Sequence, residues 1–75
     1  MDSRFYNKWF GHPEYQKLSY PEKTVFEILA SGKAPDHNVS TIAKISKMSE
    51  MHVKVALQLL YLRNMTDVNP EESGS

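Results

Sequence analysis

The segment "SEMHVKVALQLLYLRNM" (residues 49–65) carries the start signal, the apolar stripe and the stop signal of one helix. Ser49 is a residue type that caps helix amino termini, and Asn64 tolerates the left-handed backbone conformation that ends a helix. Apolar residues recur between them at helical spacing and predict a buried stripe. The stripe comprises Val53, Ala56, Leu57 and Leu60. The pattern therefore predicts a helix over residues 49–63.

A second helix is predicted by the segment "SYPEKTVFEILASG" (residues 19–32). Ser19 and Glu22 have the spacing of a capping box, and Pro21 falls in the first turn, where its missing N–H costs nothing. Gly32 is suited to end the helix because it adopts the left-handed conformation without strain. The apolar face comprises Val25, Phe26, Ile28 and Leu29.

A shorter helix is predicted between these two, over "NVSTIAKISKM" (residues 38–48), after a loop of turn-forming residues. Asn38 is the expected N-cap. Met48 and Val53 flank Ser49 at the spacing of a hydrophobic staple. The buried side is expected to hold Val39, Ile42, Ala43 and Ile45. Three successive helices predict a mostly-α fold with a three-helix helix-turn-helix core.

The segments on either side of this core differ in character. Residues 1–18 form an aromatic-rich extension, in which a short helix would carry two aromatic stripes. Either these rings cover the core of the following helices or they form a dimer surface, and both can hold. Residues 19–68 form the helix-turn-helix domain, in which 65–68 alternates apolar and polar residues like one short strand. Residues 69–75 are small and polar, which predicts a disordered tail.

The chain has 75 residues and no cysteine, which bounds it to one small domain without disulfides or thiolate metal sites. A domain of this size buries only about 60% of its unfolded surface, so its core is marginal. No apolar run approaches the length of about 18 residues that a membrane span needs. No secretory signal is recognisable either, and a cytoplasmic protein is expected.

Charge is distributed unevenly although the formal net charge is zero. Residues 33–63 carry five basic and two acidic side chains, whereas residues 64–75 carry three acidic side chains and no basic one. Zero net charge argues against a general polyanion binder. The basic middle indicates an anionic partner, with a solvated mixed-charge surface as the alternative.

The order of residues across "NVSTIAKISKMSEMHVKVALQLLYLRNMT" (residues 38–66) resembles the helix-turn-helix of winged-helix DNA-binding proteins. In that family a capped helix with an Ile-Ala pair precedes a short turn that ends in an apolar residue and Ser. A second helix follows and is closed by Gly or Asn. The matching residues here are Asn38, Ile42, Ala43, Met48, Ser49, Val53, Ala56, Leu57, Leu60, Asn64 and Met65.

A second resemblance lies upstream, where "HPEYQKLSYPEKTVFEIL" (residues 12–29) is similar to the lead-in helices of plasmid and phage replication initiators. A small transcriptional regulator of the same fold is an equivalent expectation. The chain departs from the family after the third helix. A full wing is a two-stranded hairpin, and only residues 65–69 have strand character here, so the expected wing is reduced or absent.

The resemblance implies sequence-specific binding of double-stranded DNA, with the helix at 49–63 in the major groove. Residues facing outward near its start are then candidates for base contacts, since Glu accepts from cytosine, Gln pairs with adenine and Lys pairs with guanine. Ser49 and Thr41, together with Lys44 and Lys47, are candidates for phosphate contacts that set the register. The expected DNA-binding residues are Ser40, Thr41, Lys44, Lys47, Ser49, Glu50, Met51, His52, Lys54 and Gln58.

The competing interpretation is a protein-interaction module on the same scaffold, without DNA binding. Apolar residues beyond the core stripe would then be exposed surface that binds a second copy or another protein. The expected dimer or partner surface comprises Phe5, Tyr6, Trp9, Phe10, Leu59, Tyr61 and Leu62. The three histidines fall in different predicted elements and no catalytic motif occurs, so no enzyme activity, cofactor or metal is expected.

Overall fold

The structure is a computed structural model that describes residues 3–70, apart from the side chain of Ser3. Within these residues the chain forms five helices and no strand. The helices are α1 (Ser3–Asn7), α2 (Pro13–Gln16), α3 (Tyr20–Ser31), α4 (Val39–Ser46) and α5 (Glu50–Leu62). The prediction of a mostly-α fold is confirmed.

Each of the three longer helices begins at the residue that the sequence predicted. The Asn38 side chain accepts a hydrogen bond from the backbone N–H of Ser40 at 2.8 Å, and the Ser49 hydroxyl accepts one from His52 at 3.1 Å. At the start of α3, the Glu22 carboxylate accepts from the Ser19 hydroxyl at 2.8 Å and from its N–H at 3.4 Å. These bonds satisfy polar groups that a helix end otherwise leaves unpaired.

The core lies where α3, α4 and α5 pack against one another. The predicted stripes of α3 and α5 are buried, as are three of the four residues predicted for α4. The exception is Ile45, which is 38% exposed. Since α4 has only eight residues, its buried side is the single row of Val39, Ile42 and Ala43, and Ile45 points away from that row. The prediction that Ile45 is buried is wrong.

The aromatic residues of the amino-terminal extension surround Phe26 of α3. Its fully buried ring contacts those of Tyr6, Phe10 and Tyr15 at centroid separations of 5.4, 5.4 and 5.6 Å. Such edge-to-face and tilted contacts are the favoured geometry of aromatic pairs. The prediction that these rings cover the core is confirmed.

The same packing corrects the predicted dimer surface. Tyr6 is 1% exposed, so it offers no contact area to a second molecule. Phe5, Trp9 and Phe10 are partly buried against the core. These rings are occupied within the chain because a 75-residue domain needs their apolar area for its own core.

Three residues with positive φ set the directions in which the helices end. Gly32 (φ 75°) ends α3 and Asn64 (φ 62°) follows α5, as predicted. Lys47 also has a left-handed conformation (φ 62°), so α4 ends at Ser46, two residues earlier than predicted. Lys47 therefore lies in the turn and not on a helix face.

The segment after α5 returns along the core without forming a strand. Met65, Thr66, Val68 and Pro70 are buried, and the Thr66 hydroxyl shares a 3.2 Å hydrogen bond with the Tyr6 hydroxyl. The predicted strand at 65–68 is therefore wrong, since side chains of the segment pack inward instead of pairing through the backbone. Of the predicted disordered tail, Asn69 is half-buried and Pro70 is buried, and residues 71–75 lie outside the described residues.

A partly buried ion pair joins the start of α3 to the end of α5. Glu22 is 4% exposed, and its carboxylate accepts a hydrogen bond from Arg63 Nε at 3.1 Å on the oxygen that Ser19 does not use. Both oxygens of this buried anion are therefore satisfied. Arg63 also lies 3.9 Å from the Glu14 carboxylate of α2, so one guanidinium links three helices.

Replacement Arg63→Ala is expected to lower the free energy of unfolding by about 1–3 kcal/mol, because it leaves a buried carboxylate without its charged donor. Urea denaturation followed by circular dichroism measures the change. The control is Lys17→Ala, which breaks the exposed pair with Glu14 and is expected to cost less than about 1 kcal/mol. Equal losses in the two variants would contradict the buried role of Arg63.

Replacement Tyr6→Phe is expected to cost about 0.5–1.5 kcal/mol near neutral pH through loss of the hydrogen bond to Thr66. Burial raises the pKa of Tyr6 above its ordinary value of 10.0. The folded state therefore favours the neutral phenol of Tyr6. Its contribution to folding stability is full below pH 10 and is lost as the pH rises through the raised pKa. Unfolding measured against alkaline pH should therefore show a weaker pH dependence in Tyr6→Phe than in the control Tyr20→Phe, whose ring is 80% exposed.

Candidate nucleic-acid interface

Helices α4 and α5 are joined by a turn of three residues, Lys47 to Ser49. The N–H of Met48 donates to the carbonyl of Ala43 at 3.2 Å, which closes the end of α4. Met48 then packs partly buried against the core that contains Val53, at the predicted staple positions. A turn of three or four residues between two packed helices is the connection used in helix-turn-helix units.

Two rows of side chains cover the solvent side of α5, each with four-residue spacing. The first, called here the polar row, comprises Glu50, Lys54 and Gln58. It begins beside α4, because the Glu50 carboxylate accepts a 3.1 Å hydrogen bond from the Ser40 hydroxyl. The second, called the apolar row, comprises Met51, Val55 and Leu59. This row continues along α5 toward Arg63, which pairs with Glu22 of α3. The polar row therefore borders α4, and the apolar row borders α3.

The structure places all ten expected DNA-binding residues on α4, the turn or α5. Most of them are exposed, whereas Ser40, Thr41 and Gln58 are half-buried. Their chemistry is not uniform across the surface. Met51 belongs to the apolar row, and His52 lies beside it, on the side of α5 that borders α3. Lys54 and Gln58 lie on the polar row, so they are the members of the set with both the chemistry and the placement for base contacts.

The lysines of residues 33–54 have no acidic partner within the described part of the chain. Lys17 and Arg63 form ion pairs, and Lys8 and Lys23 lie over aromatic rings. The lysines that remain available to an external anion are Lys33, Lys44, Lys47 and Lys54. All four are exposed, and three of them belong to the α4–turn–α5 unit.

The hydroxyls expected to hold phosphates are already bonded within the chain. Ser40 donates to Glu50, and Thr41 donates to the Asp36 carboxylate at 2.9 Å. The backbone N–H of Asn38 also donates to Asp36, at 3.1 Å. The hydrogen bond from the Asn38 N–H, and to a smaller extent the one from Thr41, lowers the pKa of Asp36 below its ordinary value. Asp36 and Glu50 therefore place a carboxylate at the amino end of each of the two helices.

An apolar groove separates the start of α3 from the apolar row of α5. It measures about 200 Å³ and its walls include Pro21, Met51, Val55 and Leu59. Met51 and Val55 are 74% and 54% exposed. From sequence, Leu59 was predicted to contact a partner and Met51 to contact DNA, whereas Val55 and Pro21 were not assigned, although the spacing 51, 55, 59 signals a second apolar stripe on α5. The predicted partner residues Leu59, Tyr61 and Leu62 are exposed, at 39%, 38% and 66%.

The carboxyl-terminal segment bounds the polar row on its far side. Pro70 lies with Lys54, Val55 and Gln58 around one shallow depression. Pro70 therefore borders the polar row at Lys54 and Gln58, whereas Glu50, at the amino end of the row, lies beside α4. This is the end that the resemblance assigns to base contacts.

Comparison with protein-family models, with curated proteins and with solved structures finds no match for this chain. None of the helices between residues 3 and 70 has the length and apolar character needed to span a membrane. Among the same residues no three His, Asp or Glu side chains group together as metal ligands do.

Proposed function

We propose that the chain binds double-stranded DNA sequence-specifically through the α4–turn–α5 unit, as a small transcriptional regulator or a replication-initiator-type domain. The observation that carries the proposal is which basic side chains of the domain have a partner within it and which do not. Lys17 and Arg63 are held by carboxylates, and Lys8 and Lys23 lie over aromatic rings. By contrast, Lys33, Lys44, Lys47 and Lys54 are exposed and lack an acidic partner among residues 3–70, and the last three belong to the α4–turn–α5 unit. Exposed ammonium groups without an acidic partner attract phosphates.

The proposed binding mode follows from where these groups lie. The first turns of α5 enter the major groove, where Lys54 and Gln58 on the polar row reach base edges. Lys44 near the end of α4 and Lys47 in the turn contact phosphates on one side of the groove and fix the orientation of the domain. Few phosphate contacts and a formal net charge of zero give modest affinity to a single copy.

Alanine replacement of Lys44 or Lys47 is expected to weaken binding to all duplexes alike. Each replacement should reduce the slope of log K against log salt concentration by about one, because one phosphate is no longer neutralised. Lys54→Ala is expected to cost about 1–3 kcal/mol at the preferred site and to relax its sequence preference. Fluorescence anisotropy across a salt series, on duplexes selected from a random library by the wild-type chain, measures both effects.

Lys17→Ala is the matched control for these variants, because Lys17 is exposed but paired with Glu14 on α2. Exposed lysine-to-alanine changes on a helix are close to neutral for stability, so circular dichroism should show an unchanged fold. Unchanged DNA affinity in a triple replacement of Lys44, Lys47 and Lys54 would refute the proposal.

A second candidate function is protein interaction through the apolar row, favoured by the high exposure of Met51 and Val55 beside an apolar groove. A contiguous apolar surface of this kind marks association sites on small soluble domains. The partner is then a second copy or another protein, and α5 serves as the contact helix without reading DNA.

Double replacement Val55→Gln and Leu59→Gln is expected to convert an associated species to monomer in sedimentation velocity at tens of micromolar, because it removes the centre of the apolar row while keeping good helix formers. Ile45→Gln is the control, since Ile45 is equally an exposed apolar residue but lies on α4, outside the row. Wild-type chain that is purely monomeric under these conditions counts against self-association.

A further inference from the structure

Two fixed negative charges occupy the amino ends of the helices that the proposed function directs toward DNA. Glu50 is the first residue of α5, and Asp36 precedes the N-cap of α4 by two residues. Their carboxylates accept hydrogen bonds from Ser40 and Thr41, which are consecutive in the first turn of α4. Each carboxylate is therefore held against the first turn of α4, and both side chains are exposed.

This is the place where a helix-turn-helix unit would otherwise hold a phosphate most strongly. The amino end of a helix carries partial positive charge and free N–H groups, and serine and threonine hydroxyls nearby are common phosphate donors. Here the hydroxyls of Ser40 and Thr41 already donate to carboxylates. A DNA phosphate at this end meets two negative charges instead of two free donors. The contacts to the DNA backbone are therefore made by the lysines.

We infer that Asp36 and Glu50 are specificity-determining residues that weaken sequence-independent binding to the DNA backbone, so that affinity depends on base contacts from the polar row. The inference rests on the proposed function. Its physical basis is that phosphate contacts supply nearly all non-specific affinity, whereas base contacts supply discrimination. Removing the two carboxylates raises affinity for every duplex and lowers the ratio between the preferred site and random DNA.

The test is the double replacement Asp36→Asn with Glu50→Gln, measured by anisotropy on a random-sequence duplex pool and on the duplex selected by the wild-type chain. Both changes are isosteric. Glu50→Gln keeps an oxygen for the Ser40 hydroxyl, whereas Asp36→Asn keeps one of the two acceptors that serve the Thr41 hydroxyl and the Asn38 N–H. Affinity for the random pool is expected to rise several-fold or more, with a salt slope steeper by about 0.9 for each additional phosphate that the domain neutralises. Affinity for the selected duplex is expected to rise less.

One control separates the effect of these two charges from the loss of a carboxylate elsewhere in the chain. Glu27→Gln removes an exposed carboxylate from α3 beside Asn7 and Phe10 of the amino-terminal extension, and should change neither affinity.

The outcomes distinguish this inference from the function on which it rests. If the wild-type chain binds DNA and the double variant has an unchanged affinity for the random pool, the inference is overturned and the proposed function stands. Loss of binding to the selected duplex without tighter binding to random DNA also overturns it, because Glu50 is then a base contact. Absence of binding by wild type and every variant at low salt refutes the proposed function, and the inference with it.

Discussion

The buried carboxylate of Glu22 is the constraint on which the arrangement of the helices depends. A charge at 4% exposure is tolerated only when hydrogen-bond donors surround it. Ser19 supplies donors from the start of α3 itself, and Arg63 supplies one from the far end of α5. The apolar stripes alone would allow α3 and α5 to pack in several relative orientations, because the hydrophobic effect is not directional. The ion pair is directional, and it fixes which end of α5 lies beside the start of α3.

This orientation divides the solvent side of α5 into surfaces with different neighbours. The polar row begins at the first turn of α4, where Ser40 holds Glu50, and Pro70 limits it on the far side. The apolar row borders the start of α3 and forms a groove with Pro21. One helix thus presents chemistry for an anionic partner and for an apolar partner side by side. The proposed DNA binding and the proposed self-association would therefore both use α5.

Much of the fold follows from local sequence signals. Asn38 and Ser49 cap helices because their side chains accept from backbone N–H groups two and three residues ahead, and Ser19 does so through the Glu22 carboxylate, which accepts from its hydroxyl and its N–H. Gly32 and Asn64 end helices because they adopt positive φ. Lys47 also adopts positive φ, although nothing in its side chain favours that conformation, so the sequence places the end of α4 two residues late. The turn between α4 and α5 is imposed by the packing of Met48 against the core.

The sequence by itself determined the three principal helices, their caps, their buried stripes and the excess of lysine over acid in the middle of the chain. Each of these depends on residues close together in the sequence, through helical periodicity and short-range hydrogen bonds. Only the tertiary structure decided that Tyr6 lies in the core, that residues 65–68 pack without forming a strand, and which lysines lack acidic partners. Those outcomes join residues as far apart as Tyr6 and Thr66 or Glu22 and Arg63, and a periodic pattern along the chain carries no information about such distant pairs.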